Sequence, residues 1–262
     1  MYAFDFVKPS TLDEAVLALA QEGAQPFSGG QTLLPTMKQR LNAPDALVSL
    51  TGIAELQGVR RDGDTLVIGA ATTHATVAAE AAAHYPGLAA LAGQIGDPAV
   101  RNRGTLGGSV ANNDPSACYP AAVLASDATI VTNSREIAAA DFFQGMFTTA
   151  LEEGEIITAI RFPIPAKSAY AKFLQPASRF ALTGAFVAQY ADGVRVAITG
   201  ASEGGVFRWS EAEATLSGDF SPEALSGLSV PAGGMIGDLH GTPGYRAHLV
   251  GVMTRRAVAA AS

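Results

Sequence analysis

Two glycine-rich stretches decide how this chain is read. They are Phe27-Ser28-Gly29-Gly30-Gln31-Thr32-Leu33-Leu34-Pro35 and Arg101-Asn102-Arg103-Gly104-Thr105-Leu106-Gly107-Gly108-Ser109-Val110-Ala111-Asn112-Asn113-Asp114-Pro115. The first leaves a predicted strand at 25–27 and meets Pro35, which suits a helix start because an early helical position loses no needed N–H. Glycine lets the backbone approach a ligand closely and take positive φ. Successive N–H groups can then converge on one anion. Two such loops face to face would hold both phosphates of a pyrophosphate, with Thr32, Thr105 and Ser109 adding hydroxyl donors. Neither stretch is Gly-x-x-x-x-Gly-Lys-Ser/Thr or Gly-x-Gly-x-x-Gly, which disfavours a nucleoside-triphosphate loop and a Rossmann site alike. Tight turns would explain either glycine pair taken singly. On the residues alone the pair reads as an anion or dinucleotide site.

Around these stretches the pattern alternates. Residues 4–7 read as a strand. A helix follows with apolar Leu12, Ala15, Val16, Leu19 and Ala20 at helical spacing, a Thr11–Glu14 capping box and Gly23 as its stop. A strand at 46–50 closes this first unit. Asp62-Gly63-Asp64 is a hairpin turn between strands at 59–61 and 65–70. Helices are predicted at 73–84, broken by Pro86-Gly87, then at about 88–95 and 119–125. Strands are predicted at 128–132, 137–138 and 156–162. Pro163 to Ser168 is the boundary candidate, since two prolines end the strand before it. Strands at 169–175, 184–191 and 194–200, the last two joined at Asp192-Gly193, precede helices at 211–217 and 245–260. Mixed elements with hairpins give an α+β fold.

The chain has 262 residues, room for one large domain or two at roughly 150 residues each. Only 16% of residues are charged and 48% are hydrophobic, against a usual charged share of about 25%, so the chain folds rather than staying disordered. The net charge of −7 and the lack of a basic stripe argue against nucleic acid. No apolar run reaches the roughly 18 residues needed to span a bilayer, so no membrane association is expected. The start lacks a signal-peptide pattern. A cytoplasmic location is the expectation, with export as a partner's passenger left open.

The single Cys excludes an intrachain disulfide framework, a cysteine zinc site and an iron–sulfur cluster held by this chain alone. His74, His84, His240 and His248 are not paired at metal-ligand spacing, and no Gly-x-Ser-x-Gly elbow is present. Asp13-Glu14 and Glu152-Glu153 read as solvated faces. No residue is therefore assigned a catalytic role, and no metal site is expected.

The first glycine stretch is similar to the first flavin-binding loop of the FAD-binding subunits of molybdenum hydroxylases, and the second resembles the second such loop. These subunits are the medium chains of carbon monoxide dehydrogenase and its relatives, and they correspond to the central domain of xanthine dehydrogenase. Phe4-Asp5-Phe6, Gly69-Ala70 with Thr72-Thr73-His74, Glu155-Ile156-Ile157, Tyr245-Arg246 and Arg255-Arg256-Ala257 extend the likeness over nearly the whole chain. The resemblance implies a two-lobed FAD-binding fold of the vanillyl-alcohol-oxidase type, with lobes at 1–52 and 53–165, and a C-terminal α+β domain at 166–262. It implies FAD in the cleft between the lobes. Ser28, Gly29, Gly30, Gln31, Thr32, Leu33 and Leu34 would meet the pyrophosphate and ribityl region, with Thr105, Gly107, Gly108 and Ser109 opposite, and Ile157 at the adenine end.

Two positions depart from the family. Cys118 stands where relatives commonly carry an Asp that bonds the flavin's sugar-alcohol part, and Cys is a weak donor and acceptor. Cys118 either touches flavin or merely fills the Asp space. Gln175 stands near a position where many relatives carry Lys, and a Gln cannot neutralise a cofactor charge. Weaker FAD retention is the expected result. The function implied is that of an electron-transfer flavoprotein, an FAD-dependent oxidoreductase subunit. Its partners would be a small subunit with two [2Fe-2S] clusters and a large molybdenum subunit, and it would pass electrons to an external acceptor. The alternatives are a free-standing flavin oxidase and a flavin-free scaffold of the same complex.

Overall fold

The computed structural model of the chain describes residues 1–261. The first unit is β1 (Asp5–Val7), α1 (Leu12–Leu19), β2 (Ala24–Phe27), α2 (Leu33–Lys38) and β3 (Ala46–Ser49). Its strands lie in the order β1-β3-β2 and both pairings are parallel. All three carboxyl ends therefore share one edge of the sheet, and the first glycine loop leaves from that edge at Phe27. Thr11 caps α1, its Oγ1 accepting from Glu14 N at 3.3 Å. The Glu14 carboxylate reaches one residue further back than a capping box requires, accepting from Ser10 N at 2.7 Å and Ser10 Oγ at 2.8 Å. Ala15 and Leu19 bury against Val48, Leu50 and Ile53.

The second unit runs through β4 (Val59–Asp62), β5 (Thr65–Gly69), α3 (His74–Glu80), α4 (Pro86–Gly93), α5 (Pro98–Arg101), α6 (Leu106–Asn112), α7 (Tyr119–Ala125), β6 (Thr129–Thr132), β7 (Glu136–Ala138), α8 (Ala139–Phe142), β8 (Phe143–Gly145), β9 (Thr148–Thr149) and β10 (Ile157–Pro163). Its main sheet has the order β4-β5-β10-β6-β7, antiparallel throughout. Every residue of α7 is buried, and its alanines let the surrounding elements approach closely. Pro86 does not break a helix but opens α4, the position where its missing N–H costs nothing; α3 has already stopped at Glu80. The second glycine stretch, expected as a loop, forms α6. Two adjacent glycines cost about 1 kcal/mol each in a helix, and the Thr105 N-cap, whose Oγ1 accepts from Gly108 N at 3.3 Å, offsets part of that.

The third unit is a meander of β11 (Lys167–Leu174), β12 (Ala181–Tyr190), β13 (Gly193–Thr199) and β14 (Phe207–Arg208), followed by α9 (Ser210–Gly218) and α10 (Pro243–Ala260). Side chains alternate across a strand, and β12 uses both faces. Ala185 and Val187 face α9 and α10, whereas Phe186 and Ala188 join the core around α7. The third unit thus shares a core with the second. On β11 the same alternation puts Tyr170 on the α7 side, and Lys172 follows on that face. Inside the other layer Arg246 is buried, donating to the carbonyls of Leu182 and Gly200, both at 2.6 Å, and to Asp238 at 2.7 Å. That cation therefore serves the packing of α10.

Candidate functional site: a cleft where the three units meet

A cleft of about 500 Å³ opens between the first two units, closed at one side by the third. Its size lies inside the range of roughly 300–1,000 Å³ usual for small-molecule sites. Ser28, Gly29, Gly30, Gln31, Thr32, Leu33, Thr105, Gly107, Gly108, Ser109, Cys118 and Ile157 all line it. Leu34 does not; it packs with Phe27, Met37 and Leu47.

The first loop is built from β2 outward. The Phe27 ring is buried and meets Phe6 edge-on at 5.6 Å. Gly30 turns the chain at φ +68, and a Cβ there would lie 2.6 Å from the Phe27 ring. Gln31 Nε2 donates to Gly29 O at 3.1 Å and Leu34 N to Gly30 O at 3.1 Å, which closes the turn. Among the described residues the N–H groups of Gly29, Gly30, Gln31 and Thr32 have no hydrogen-bond partner. Four adjacent N–H groups without a protein partner on a cleft wall form a cradle able to take an anion.

The second segment differs from the sequence expectation of a matching nest. Leu106 N donates to Thr72 O at 3.0 Å, Gly107 N to Ala70 O at 2.8 Å and Ser109 N to Thr105 O at 3.0 Å. Its first donors bind α6 to the turn after β5, and that of Ser109 closes the first turn of α6. What it offers the cleft is space and hydroxyls. A Cβ at Gly107 would lie 2.5 Å from the Ala70 Cβ. Ser28 Oγ and Thr105 Oγ1 are 2.8 Å apart and hydrogen-bonded. A Cβ at Gly29 would lie 2.3 Å from Arg103 O and 2.6 Å from Gly104 Cα. The two loops therefore touch, and glycine is what lets them.

Several cleft residues lie outside the two motifs. Lys172, from β11, donates to Gln94 O at 2.8 Å and Arg179 O at 2.9 Å, and its Nζ is 3.5 Å from Cys118 Sγ. A cation therefore lines the cleft three residues before Gln175. Gln175 itself holds an exposed turn, its Oε1 accepting from Ser178 N and Oγ. Its neighbours Arg179 and Phe180 reach the cleft instead. Cys118 is buried at the start of α7, with its thiol beside Lys172.

His74 forms part of the wall under the second segment. Its N donates to Gly104 O at 2.9 Å, and a Cβ at Gly104 would lie 2.6 Å from His74 Nε2. Its ring lies 5.3 Å from that of Tyr119. Burial, helped by the nearby charge of Arg101, pushes the imidazole down to about 4, so it is neutral at pH 7. Asp114 also lines the cleft, and burial raises its carboxyl. Glu155 anchors the segment leading into β10. Its carboxylate accepts from Arg135 Nε and Nη2, both at 3.0 Å, Thr132 Oγ1 at 2.7 Å, Ser134 Oγ at 3.0 Å and Glu152 N at 2.8 Å. The Arg135 hydrogen bonds hold it at about 2. A lysine in the middle of a strand was the sequence signal for Lys172, whereas His74 and Asp114 stood in the quoted motifs with no role assigned to them.

Comparison with known proteins agrees with this geometry. Residues 2–165 match the family described as "FAD binding domain in molybdopterin dehydrogenase". The chain is 35% identical to the carbon monoxide dehydrogenase medium chain of Afipia carboxidovorans, over 98% of this chain and 96% of that one. It is 34% identical to the nicotine 6-hydroxylase medium subunit of Paenarthrobacter nicotinovorans, again over 98% and 96%. Among solved structures it superposes on a chain of reconstituted CO dehydrogenase from Oligotropha carboxidovorans with a TM-score of 0.89 at 32% identity, covering 98% of this chain and 97% of that one. A chain of quinoline 2-oxidoreductase from Pseudomonas putida 86 gives 0.89 at 29% identity, covering 98% and 96%. With an anion cradle, a touching second loop and a cation on one cleft, and this likeness along its whole length, the chain belongs to the FAD-binding family of the molybdopterin dehydrogenases.

Proposed function

We propose that this chain is the electron-transferring FAD subunit of a heteromeric molybdenum hydroxylase. In this reading it takes electrons from [2Fe-2S] clusters on a small partner subunit, fed by a large molybdenum subunit, and delivers them to an external acceptor. The observation that carries the reading is the row of free N–H donors at Gly29 to Thr32, on the same cleft as Thr105 to Ser109. FAD supplies the chemistry when bound, because flavins exchange electrons singly or in pairs. The chain's residues bind and orient it. Gly29, Gly30, Gln31 and Thr32 would donate to the pyrophosphate, and Ser28, Thr105 and Ser109 would add hydroxyls. Ile157 would offer its backbone at the adenine end, on a segment that Glu155 holds in place. Lys172 would place a positive charge by the flavin, and Cys118 would pack beside it in the space of a carboxylate. Division at 52–53 and 165–166 into two FAD-binding lobes and a C-terminal domain matches this division of labour. The flavin-free scaffold loses the support of Gln175, since Lys172 carries a cation into the cleft.

The test is rapid mixing of the isolated native assembly with the molybdenum subunit's substrate in the absence of acceptor. The flavin absorbance should bleach, and return when acceptor is added. Flavin that stays oxidised while the clusters reduce would overturn the electron-transfer role.

A further inference from the structure

A second, smaller pocket of about 330 Å³ lies behind the first glycine loop. It shares only Phe27 with the cleft. Lys8 and Pro9, which follow β1, and Thr51 and Gly52, which follow β3, form its rim together with Arg103 from the second unit. It therefore sits outside the carboxyl ends of parallel strands, the edge at which open α/β sheets bind ligands.

Its chemistry is one-sided. No Asp or Glu lines it. Among the described residues neither Lys8 nor Arg103 has a carboxylate within 4.0 Å. The hydroxyls of Ser49 and Thr51 are 3.1 Å apart and share one hydrogen bond, so the pair keeps one O–H to donate elsewhere. The N–H groups of Thr51 and Gly52 also lack a partner among the described residues. Lys8 Nζ stands 5.6 Å from the centroid of the Phe6 ring, a cation–π distance, and Phe6 in turn meets Phe27 edge-on. Cations, hydroxyls and backbone donors lining one pocket without a carboxylate are what an oxyanion requires.

We propose that this pocket binds a phosphate-type oxyanion, distinct from the pyrophosphate site in the cleft, with Lys8 and Arg103 as its charged clamp. Because Arg103 also touches Gly29 through its carbonyl, anion binding here braces the first unit against the second from behind.

The test titrates the flavin-loaded protein at low ionic strength with inorganic phosphate and, separately, with phenyl phosphate, by isothermal calorimetry. One saturable equivalent is expected. Tighter binding of phenyl phosphate would identify the Phe6 and Phe27 wall as a seat for an organic phosphate, and equal binding would identify free phosphate as the ligand. Lys8→Met and Arg103→Met should each weaken binding about tenfold, the scale of one charge-assisted hydrogen bond lost. Both side chains are exposed, so folding is not at risk. Lys38→Met, on α2 and outside the pocket, should change nothing. The proposal is overturned by the absence of saturable binding, by binding that Lys8→Met and Arg103→Met leave intact, or by phosphate that binds only after flavin is removed.

Discussion

Gly29→Ala tests the contact on which the cleft depends. The added Cβ would lie 2.3 Å from Arg103 O and 2.6 Å from Gly104 Cα. An ordinary carbon–oxygen contact is roughly 3.4 Å, so the loops must part by about 1 Å. Both atoms are backbone and cannot rotate aside. The φ of Gly29 is not in the left-handed region, so the cost is steric rather than conformational. Overpacking of this kind costs about 1–3 kcal/mol, and chains of this size lose about 2–4 °C of Tm per kcal/mol. Parting the loops also breaks the Ser28–Thr105 hydrogen bond at 2.8 Å and spoils the aim of the free N–H groups. Loss of about 1.4 kcal/mol of cofactor binding corresponds to tenfold, and at least that is expected in an FAD titration followed by flavin fluorescence. Gly218→Ala is the control. Nothing lies within 4 Å of its Cβ position and its φ is ordinary, so its Tm should hold or rise slightly. A Gly29→Ala protein with wild-type Tm and wild-type FAD affinity would refute the reasoning.

Three further outcomes are expected. Lys172→Met removes the donor to Gln94 O and Arg179 O together with one of the cleft's cations, and FAD affinity should fall about tenfold, whereas Cys118→Asp, which restores a carboxylate able to accept from the flavin's sugar-alcohol hydroxyls, should tighten FAD; both are read by equilibrium titration. Because burial lowers His74 from 6.5 to about 4, the unfolded chain binds the extra proton first. Its contribution is complete above pH 6.5 and fades as pH falls toward 4, about 3 kcal/mol in all; His74→Gln should flatten that part of a urea-melt pH profile. Glu155→Gln discards the charge that accepts from Arg135, Thr132 and Ser134. Arg135 is partly exposed, so the loss is limited to about 1–2 kcal/mol, read as a lower Tm of the apoprotein.

The sequence carried the site's skeleton because glycine pairs next to strand ends have few uses. Both stretches line one cleft, and twelve of the thirteen residues singled out in them or at Cys118 and Ile157 could be placed there from spacing and likeness alone, Leu34 turning inward instead. What spacing did not reveal was the partition of labour between the loops. Whether an N–H is free depends on which carbonyl folds against it, and Thr72 and Ala70 take the donors of Leu106 and Gly107 only in three dimensions. α6 was hidden by the low helix propensity of its two glycines. Lys172 escaped because the third unit enters the cleft through strand alternation, which depends on which face of β11 is covered. The sequence pointed to Gln175, three residues away, and the bulge between Phe173 and Leu174 marks where the register toward that turn changes.

The most direct test of the central claim is the flavin content of the purified chain. Denaturation should release one equivalent of FAD per chain, non-covalently bound, and the refolded apoprotein should take up one equivalent again, with Gly29→Ala taking up less at the same FAD concentration. A colourless protein that binds no FAD on titration, or one whose uptake is indifferent to Gly29, would contradict the account.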